Sequence, residues 1–361
     1  MKVIYLLKKG LQYYPPCLTQ VLVMNDMGVD IEVFHGENSI YIDNLLDTRG
    51  IKHNKFKTDK YNKTSLESAI GFYRFCKEAK TVQNQLDANA IIWFGNMETA
   101  MAFDIRKLID RKLVLNVLEL YNVGSIYDKW LKKYSDKMNI IISCESHRAA
   151  IMESRYLLKS RPYVIPNKIY DLESSVKKSG IDNKLRNELE SNFVIVYQGL
   201  ISKDRPLENI AKALAKYNEN ILFLIMGDCS DEYKIELQCI YSPIIFTGFI
   251  PAPEHLEYTK YCNVGIANYD KSSLNNVFCA PNKIFEYAKY AIPVLASNNV
   301  ALEESIGLYK AGKCIDFNDI NQIINALNEI SRNYDEFSEN ALKLYESINV
   351  ELLIKDVVNQ L

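Results

Sequence analysis

Short, almost wholly apolar runs recur from one end of the sequence to the other, each followed by an amphipathic stretch of helical period. In the first half they fall at Val3 to Leu7, Ile31 to Phe34, Ala90 to Phe94, Leu113 to Leu118, Ile140 to Ser143 and Tyr163 to Ile165. In the second half they fall at Phe193 to Tyr197, Ile221 to Met226, Ile244 to Phe246, Val264 to Ala267 and Ile292 to Ala296. A strand with one solvated face alternates apolar and polar residues. These runs do not, so they read as parallel strands covered on both faces, and each half of the chain is predicted to be α/β. The intervening helices are legible at Leu66 to Leu86, Leu207 to Tyr217 and Asp171 to Ser191, with a long helical pattern from Phe337 to Leu361. The Pro166-Asn167 pair marks a boundary, and 361 residues suffice for two domains of ordinary size.

Charge excludes some partners. Lys and Arg number 43 and Asp and Glu 45, so no basic field argues for nucleic acid. The eight cysteines are scattered, without a C-x-x-C pair, and no His stands at metal-ligand spacing, so reduced core thiols in a cytosolic protein and no metal are expected. The first residues, Met1 to Lys9, read as a buried strand and not as a signal segment, because charge follows at once. No apolar run approaches the roughly 20 residues needed to span a bilayer, while abundant Lys and aromatic residues leave peripheral membrane contact open. No G-x-G-x-x-G follows a strand, which argues against a dinucleotide-dependent dehydrogenase.

Two segments carry chemistry. Ala280 to Ser297 reads as a loop, a helix and a buried strand, with Pro281 as a stop and Asn282 as a candidate cap. Glu286 lies near the start of that helix, where the N-terminus favours an anion. A carboxylate can grip a ribose diol while the helix end holds a phosphate, and together they suit a nucleotide carrying a diphosphate. The second segment, Phe193 to Ile210, is a strand, a loop and a helix. Gly199 permits close backbone approach, Arg205 can fork onto phosphate oxygens, and Lys203 adds a point charge. Such cations would stabilise a departing diphosphate without a metal.

The order Ala280-Pro281-x-Lys283-x-x-Glu286-Tyr287, followed by Pro293-Val294, resembles the nucleotide-sugar motif of GT-B fold glycosyltransferases, specifically the retaining family 4 (group 1). Phe223 to Asp228 resembles that family's strand ending in Gly-Asp/Glu-Gly, with Cys229 in place of the last glycine. Ile245 to Pro251 resembles its base-contacting Gly-x-Val/Ile segment. The family usually has Gly where this chain has Ala291, Arg where it has Leu200, and a further Glu where it has Phe278.

The resemblance implies two Rossmann-like domains facing a cleft: an acceptor-binding domain over 1–168, a nucleotide-sugar-binding domain over 169–340, and a C-terminal helix, 341–361, crossing back to the first. It implies donor contacts from Gly199, Gly248, Phe249, Ile250, Pro281, Asn282, Lys283 and Glu286, and catalytic roles for Arg205 and Lys203. Glu119, in the strand-end segment Leu118 to Tyr121, stands near the position of a frequent family histidine and is the candidate to orient or deprotonate an acceptor hydroxyl. A carboxylate satisfied by local partners explains Glu119 equally well. His147 and Arg148 read as surface residues opening a helix.

The activity so implied is transfer of a sugar from a nucleotide diphosphate sugar to a glycan or lipid-linked hydroxyl, retaining and independent of metal or other cofactor, in bacterial surface polysaccharide synthesis. The expected place is the cytoplasm or the inner face of the membrane. Two alternatives stay open: a nucleotide-sugar 2-epimerase on the same fold, and a non-catalytic nucleotide-sugar-binding subunit.

Overall fold

A computed structural model describes residues 1–57, 65–171, 181–201, 205–217 and 221–361, with the side chains of 65 and 66 left aside. The chain divides into two compact units, Met1–Pro166 with Asn349–Leu361, and Asn167–Ile348.

The first unit is built on a seven-stranded sheet. Its strands are β1 (Lys2–Leu7), β2 (Asp30–His35), β3 (Lys52–Lys55), β4 (Ile91–Phe94), β5 (Leu113–Val117), β6 (Ile140–Ser143) and β7 (Tyr163–Val164). They run in the order β3-β2-β1-β4-β5-β6-β7, and every pairing is parallel. Val3 stands opposite Ile31 on one side and Ile91 on the other. The second unit holds β8 (Phe193–Gln198), β9 (Ile221–Met226), β10 (Ile244–Phe246), β11 (Val264–Ala267), β12 (Val294–Ser297) and β13 (Gly312–Ile315). Their order is β10-β9-β8-β11-β12-β13, again parallel throughout.

Both faces of the second sheet are covered, which is why its strands read as unbroken apolar runs. Along β8, Val194 and Val196 point into a core formed with Ile284, Phe285 and Tyr287. Ile195 and Tyr197 point the other way, into a core with Leu207, Ile210 and Leu214. Full burial of each such aliphatic side chain contributes about 1.5–3 kcal/mol, so β8 is anchored from both sides.

Two strands escaped the sequence reading, β3 and β13, and both are sheet edges. β3 is Lys-His-Asn-Lys, held by Asn54 donating to Glu32 and by the Lys52–Glu32 ion pair, so it needs no apolar run. The helix expected over Leu66 to Leu86 is Ser65–Gln83; on it Phe75 is buried, whereas Ile70 and Tyr73 are exposed. Of the helix expected over Asp171 to Ser191, Asn183–Glu190 is observed and 172–180 lie outside the described residues. The long helical pattern from Phe337 is two helices, Tyr334–Glu346 and Val350–Asn359. Asn349 interrupts it, its side chain accepting from the Leu352 N–H as an N-cap. The second helix packs in the first unit against the helix Pro15–Asp26. Among the described residues no helix is long and apolar enough to cross a membrane.

Candidate nucleotide-sugar site

In the second unit the chain runs β8, β9, β10 outward to one edge, then returns beside β8 to begin β11. The carboxyl ends of β8 and β11 therefore flank the point where strand order reverses, the usual crevice of an open parallel sheet. Gly199 and Arg205 follow β8, Tyr269 follows β11, and Lys283 and Glu286 lie on the helix Asn282–Lys289 that leads into β12. Residues up to 113 positions apart in sequence are thus held together; Asn167, for one, donates to the Ala280 carbonyl at 2.7 Å.

Tyr287 positions that helix. Gly265 in β11 has no side chain, and a Cβ there would come within 2.2 Å of the Tyr287 ring. The ring fills that space and is fully buried, and its hydroxyl lies 3.3 Å from the Val196 carbonyl and 3.4 Å from that of Ile266. The Glu-Tyr pair of the motif is thus one anchor and one site residue. The helix ends through Ala291, whose φ is +55°, a left-handed conformation that strains any residue with a Cβ. Asn282 is not the cap: it is the first helical residue, Pro281 occupies the N-cap position, and no side chain caps the helix.

Lys283 is buried, and among the described residues its Nζ has no hydrogen-bond partner. It lies 3.9 Å from the Tyr197 ring centroid and 5.6 Å from that of Tyr269. Burial, and then the nearby Arg205 guanidinium, pull its pKa down from 10.5 to about 7, against a smaller upward pull from Glu286. Arg205 lies over the other aromatic ring, with Cζ 4.6 Å from the Tyr269 centroid. Its loop is braced across the switch point by Asn268, which donates to the Pro206 carbonyl at 2.5 Å. Two cations thus converge beside Gly199, whose φ of +116° suits glycine. Gly227, at the end of β9, lets the Gly199 carbonyl approach: a Cβ on Gly227 would sit 2.2 Å from that oxygen.

Glu286 is buried and belongs to a polar chain. It accepts from Gln198 Nε2, the Gln198 Oε1 accepts from Thr259 at 2.8 Å, and His255 Nε2 lies 3.2 Å from Glu286 Oε2. The ring's other nitrogen, Nδ1, is buried without a hydrogen bond. Tyr197, Tyr269, His255, Gln198 and Asn268 were missed in the sequence. Only the two residues at the ends of β8 and β11, Gln198 and Asn268, carried a positional signal there.

The other expected donor residues sit at the same edge of the sheet. Gly248, Phe249 and Ile250 follow β10; Gly248 has φ +72°, and the Phe249 side chain is exposed. The Phe249 N–H donates to Asp228 at 3.0 Å, so that backbone donor is already engaged by the acidic residue after β9. Leu200 is exposed, while its carbonyl accepts from the Tyr197 hydroxyl at 2.6 Å. Phe278 is half-buried just after the helix Leu274–Val277. Lys203 lies outside the described residues.

In the first unit Glu119 is exposed just past the end of β5. Burial, and after it the charges of Glu98 and Glu119, raise the phenols of Tyr14 and Tyr121 well above their ordinary pKa. Tyr121 stacks on Tyr127 at 4.4 Å. Arg148 is not a surface residue: it is 4% exposed, and its guanidinium donates to the Leu118 carbonyl at 2.6 Å, fixing the segment that carries Glu119. His147 is partly exposed, with Nδ1 2.8 Å from Glu145 Oε1, and Glu145 caps the helix Ser146–Tyr156. All eight cysteines are free thiols.

The fold recurs among solved structures. Anabaena HepE in complex with UDP and glucose superposes with a TM-score of 0.72 at 14% identity, over 99% of this chain and 98% of that one. Sucrose-phosphate synthase from Thermosynechococcus elongatus gives 0.73 at 14%, over 99% and 98%. Trehalose-6-phosphate synthase from E. coli, bound with UDP-2-fluoro glucose, gives 0.73 at 12%, again over 99% and 98%. No curated protein matches by sequence. Residues 181–344 match the family described as glycosyl transferases group 1, a span that contains Gly199, Arg205, Lys283 and Glu286. The second unit is therefore similar to the glycosyl transferases group 1 family over residues 181–344, in a chain that shares the GT-B fold of these solved structures.

Proposed function

We propose that this protein is a glycosyltransferase that moves a sugar from a nucleotide diphosphate sugar to a hydroxyl of a glycan or lipid-linked acceptor. The observation that carries the proposal is the Lys283 ammonium, buried without a hydrogen-bond partner among the described residues, beside a second cation, Arg205, at the switch point of a parallel sheet. An anion placed there would supply the missing hydrogen-bond acceptor and relieve the repulsion between the two cations. A diphosphate fits that requirement, and the charge it gains as a leaving group is the charge two fixed cations stabilise best. This is how the residues can act without a metal. Lys203, two positions before Arg205 in the sequence, would add to that charge.

Glu286, held by Gln198 and His255, would take the ribose hydroxyls, and Gly199, Pro281 and Asn282 would leave room and backbone for the phosphates. Gly248, Phe249 and Ile250 would border the base. In the first unit, Glu119 would orient the acceptor hydroxyl. Retention of configuration, a role in bacterial surface polysaccharide synthesis and a place in the cytoplasm or at the inner face of the membrane follow from the resemblance of the motif. UDP is the first nucleotide to test, because HepE and the E. coli protein of the same fold hold UDP, with glucose, or UDP-2-fluoro glucose.

The test is calorimetric titration of wild type, Arg205→Ala and Glu286→Gln with UDP, GDP, ADP and CMP, followed by incubation of the matching sugar nucleotide with and without acceptors. Binding of one nucleoside diphosphate, weakened roughly 10- to 100-fold in Arg205→Ala, is expected. Equal affinity of all three proteins for every nucleotide would overturn the reading. Sugar isomerisation without acceptor would assign an epimerase, and tight binding without turnover a non-catalytic subunit.

A further inference from the structure

The first unit contains a second polar cluster, away from the carboxyl end of β5, formed where β2, the helix after it and β3 meet. We propose that His35 Nε2, His53 Nδ1 and Asp43 Oδ1 form a binding site for a divalent transition-metal cation of the zinc class. His35 ends β2, Asp43 lies on the helix Ile40–Thr48, and His53 sits on the edge strand β3. Their ligand atoms all lie within 4.8 Å of one another.

The hydrogen bonds around the two rings decide what can sit between them. His35 Nδ1 lies 2.6 Å from the Gly36 carbonyl oxygen, which can only accept, so that nitrogen carries the proton. His53 Nε2 lies 3.1 Å from Asp47 Oδ1, and the carboxylate likewise takes an N–H. Each neutral ring therefore turns a lone pair toward the other, across 2.9 Å between His35 Nε2 and His53 Nδ1. Two lone pairs at that distance repel unless a positive centre lies between them.

A dication serves both rings at once and takes Asp43 as its third ligand. Tetrahedral coordination at about 2.0–2.1 Å to nitrogen places neighbouring ligand atoms about 3.4 Å apart, within the observed spread. His53, on an edge strand and 19% exposed, can make the small outward shift required. The outer contacts are those of a metal-bound histidine, each ring's distal N–H held by a carbonyl or carboxylate. Asn38 bridges His35 Nε2 at 3.3 Å and Asp43 Oδ1 at 2.9 Å, and would yield its place on both ligand atoms to the metal. Its own Oδ1 accepts the Leu11 N–H and stays out of the ligand set. Two imidazoles and one carboxylate, with a fourth position left for water, favour zinc-class ions over calcium or magnesium. The bound ion would clasp the polar edge strand β3 and the helix Ile40–Thr48 to the end of β2.

The test uses the full chain stripped with a chelator and titrated with Co(II) and Zn(II), read by calorimetry, visible absorption and thermal unfolding. One equivalent of Co(II), displaced by Zn(II), without thiolate-to-cobalt charge-transfer bands and with a raised unfolding midpoint, is the expected result. Asp43→Asn and His53→Gln should each weaken binding at least 10-fold. Exposed Asp47→Ala, which touches only the outer nitrogen of His53, should weaken it roughly 10- to 100-fold without loss of folding. Failure of wild type to bind either ion saturably, thiolate bands in the cobalt spectrum, or unchanged affinity in both ligand variants would overturn the proposal.

Discussion

The ammonium of Lys283 lies 3.9 Å from the ring centroid of Tyr197, close enough for the ring face to replace part of the water it has lost. The ring supplies no hydrogen-bond acceptor, so the charge stays costly, and the pKa of about 7 reflects that. Between pH 7 and 10.5 the unfolded chain binds this proton and the folded chain does not. Stability contributed by the group therefore rises with pH across that window and is lowest below pH 7. Nucleotide binding should reverse the balance by supplying an anion. At pH 8, titration with the cognate nucleoside diphosphate in buffers of different ionisation enthalpy should show net proton uptake, shrinking toward pH 6, and affinity should fall as pH rises above 7. Lys283→Met should abolish the uptake, weaken binding and raise the unfolding midpoint of the ligand-free protein.

Glu286 joins two functions that different substitutions can separate. Glu286→Ala leaves Gln198 and His255 buried without their partner and should cost about 1–3 kcal/mol of stability in addition to donor affinity. Glu286→Gln keeps a polar group of the same shape in the Thr259–Gln198 chain. It should retain most of the stability while still losing affinity for ribonucleotides relative to inorganic pyrophosphate. Chemical denaturation and calorimetry on the two variants make the comparison.

Ala291 is held at φ +55°, where a Cβ is unfavourable. Ala291→Gly should therefore stabilise the second unit by about 1 kcal/mol, or roughly 2–4 °C in its unfolding midpoint. No loss of donor affinity is expected, since the backbone keeps its present course. A lower midpoint would contradict the strain.

Gly227 controls Gly199 through a contact no larger side chain allows. Gly227→Ala would place a Cβ 2.2 Å from the Gly199 carbonyl and must displace the Gly199 backbone. Donor affinity should fall at least 10-fold even though Gly227 need not touch the nucleotide. Ordinary nucleotide affinity in a folded Gly227→Ala protein would show that the position of Gly199 is unimportant to binding.

How much was legible in the sequence follows from what burial does to local pattern. Strands covered on both faces must be apolar along their length, so β8, β9 and β11 stood out within a residue or so of their bounds. β3 and β13 lie at sheet edges, where polar residues can satisfy the backbone and no such pattern is imposed. The break at Asn349 was hidden because apolar residues keep helical spacing on both sides of it.

By itself the sequence determined the α/β class, the order of the strands along the chain and the motif residues Gly199, Arg205, Lys283 and Glu286, because each rests on local period or on residues close in sequence. Only the tertiary structure decided that Lys283 is a buried cation and not a solvated one, that Arg148 is internal, and that Glu286 is tied to His255 and Gln198. It likewise decided that His35, Asp43 and His53 converge. Burial, charge state and ligand geometry depend on groups brought together by β-strand order. A parallel sheet places side by side residues that are separated in the chain by whole helices, and no local pattern records which ones will meet.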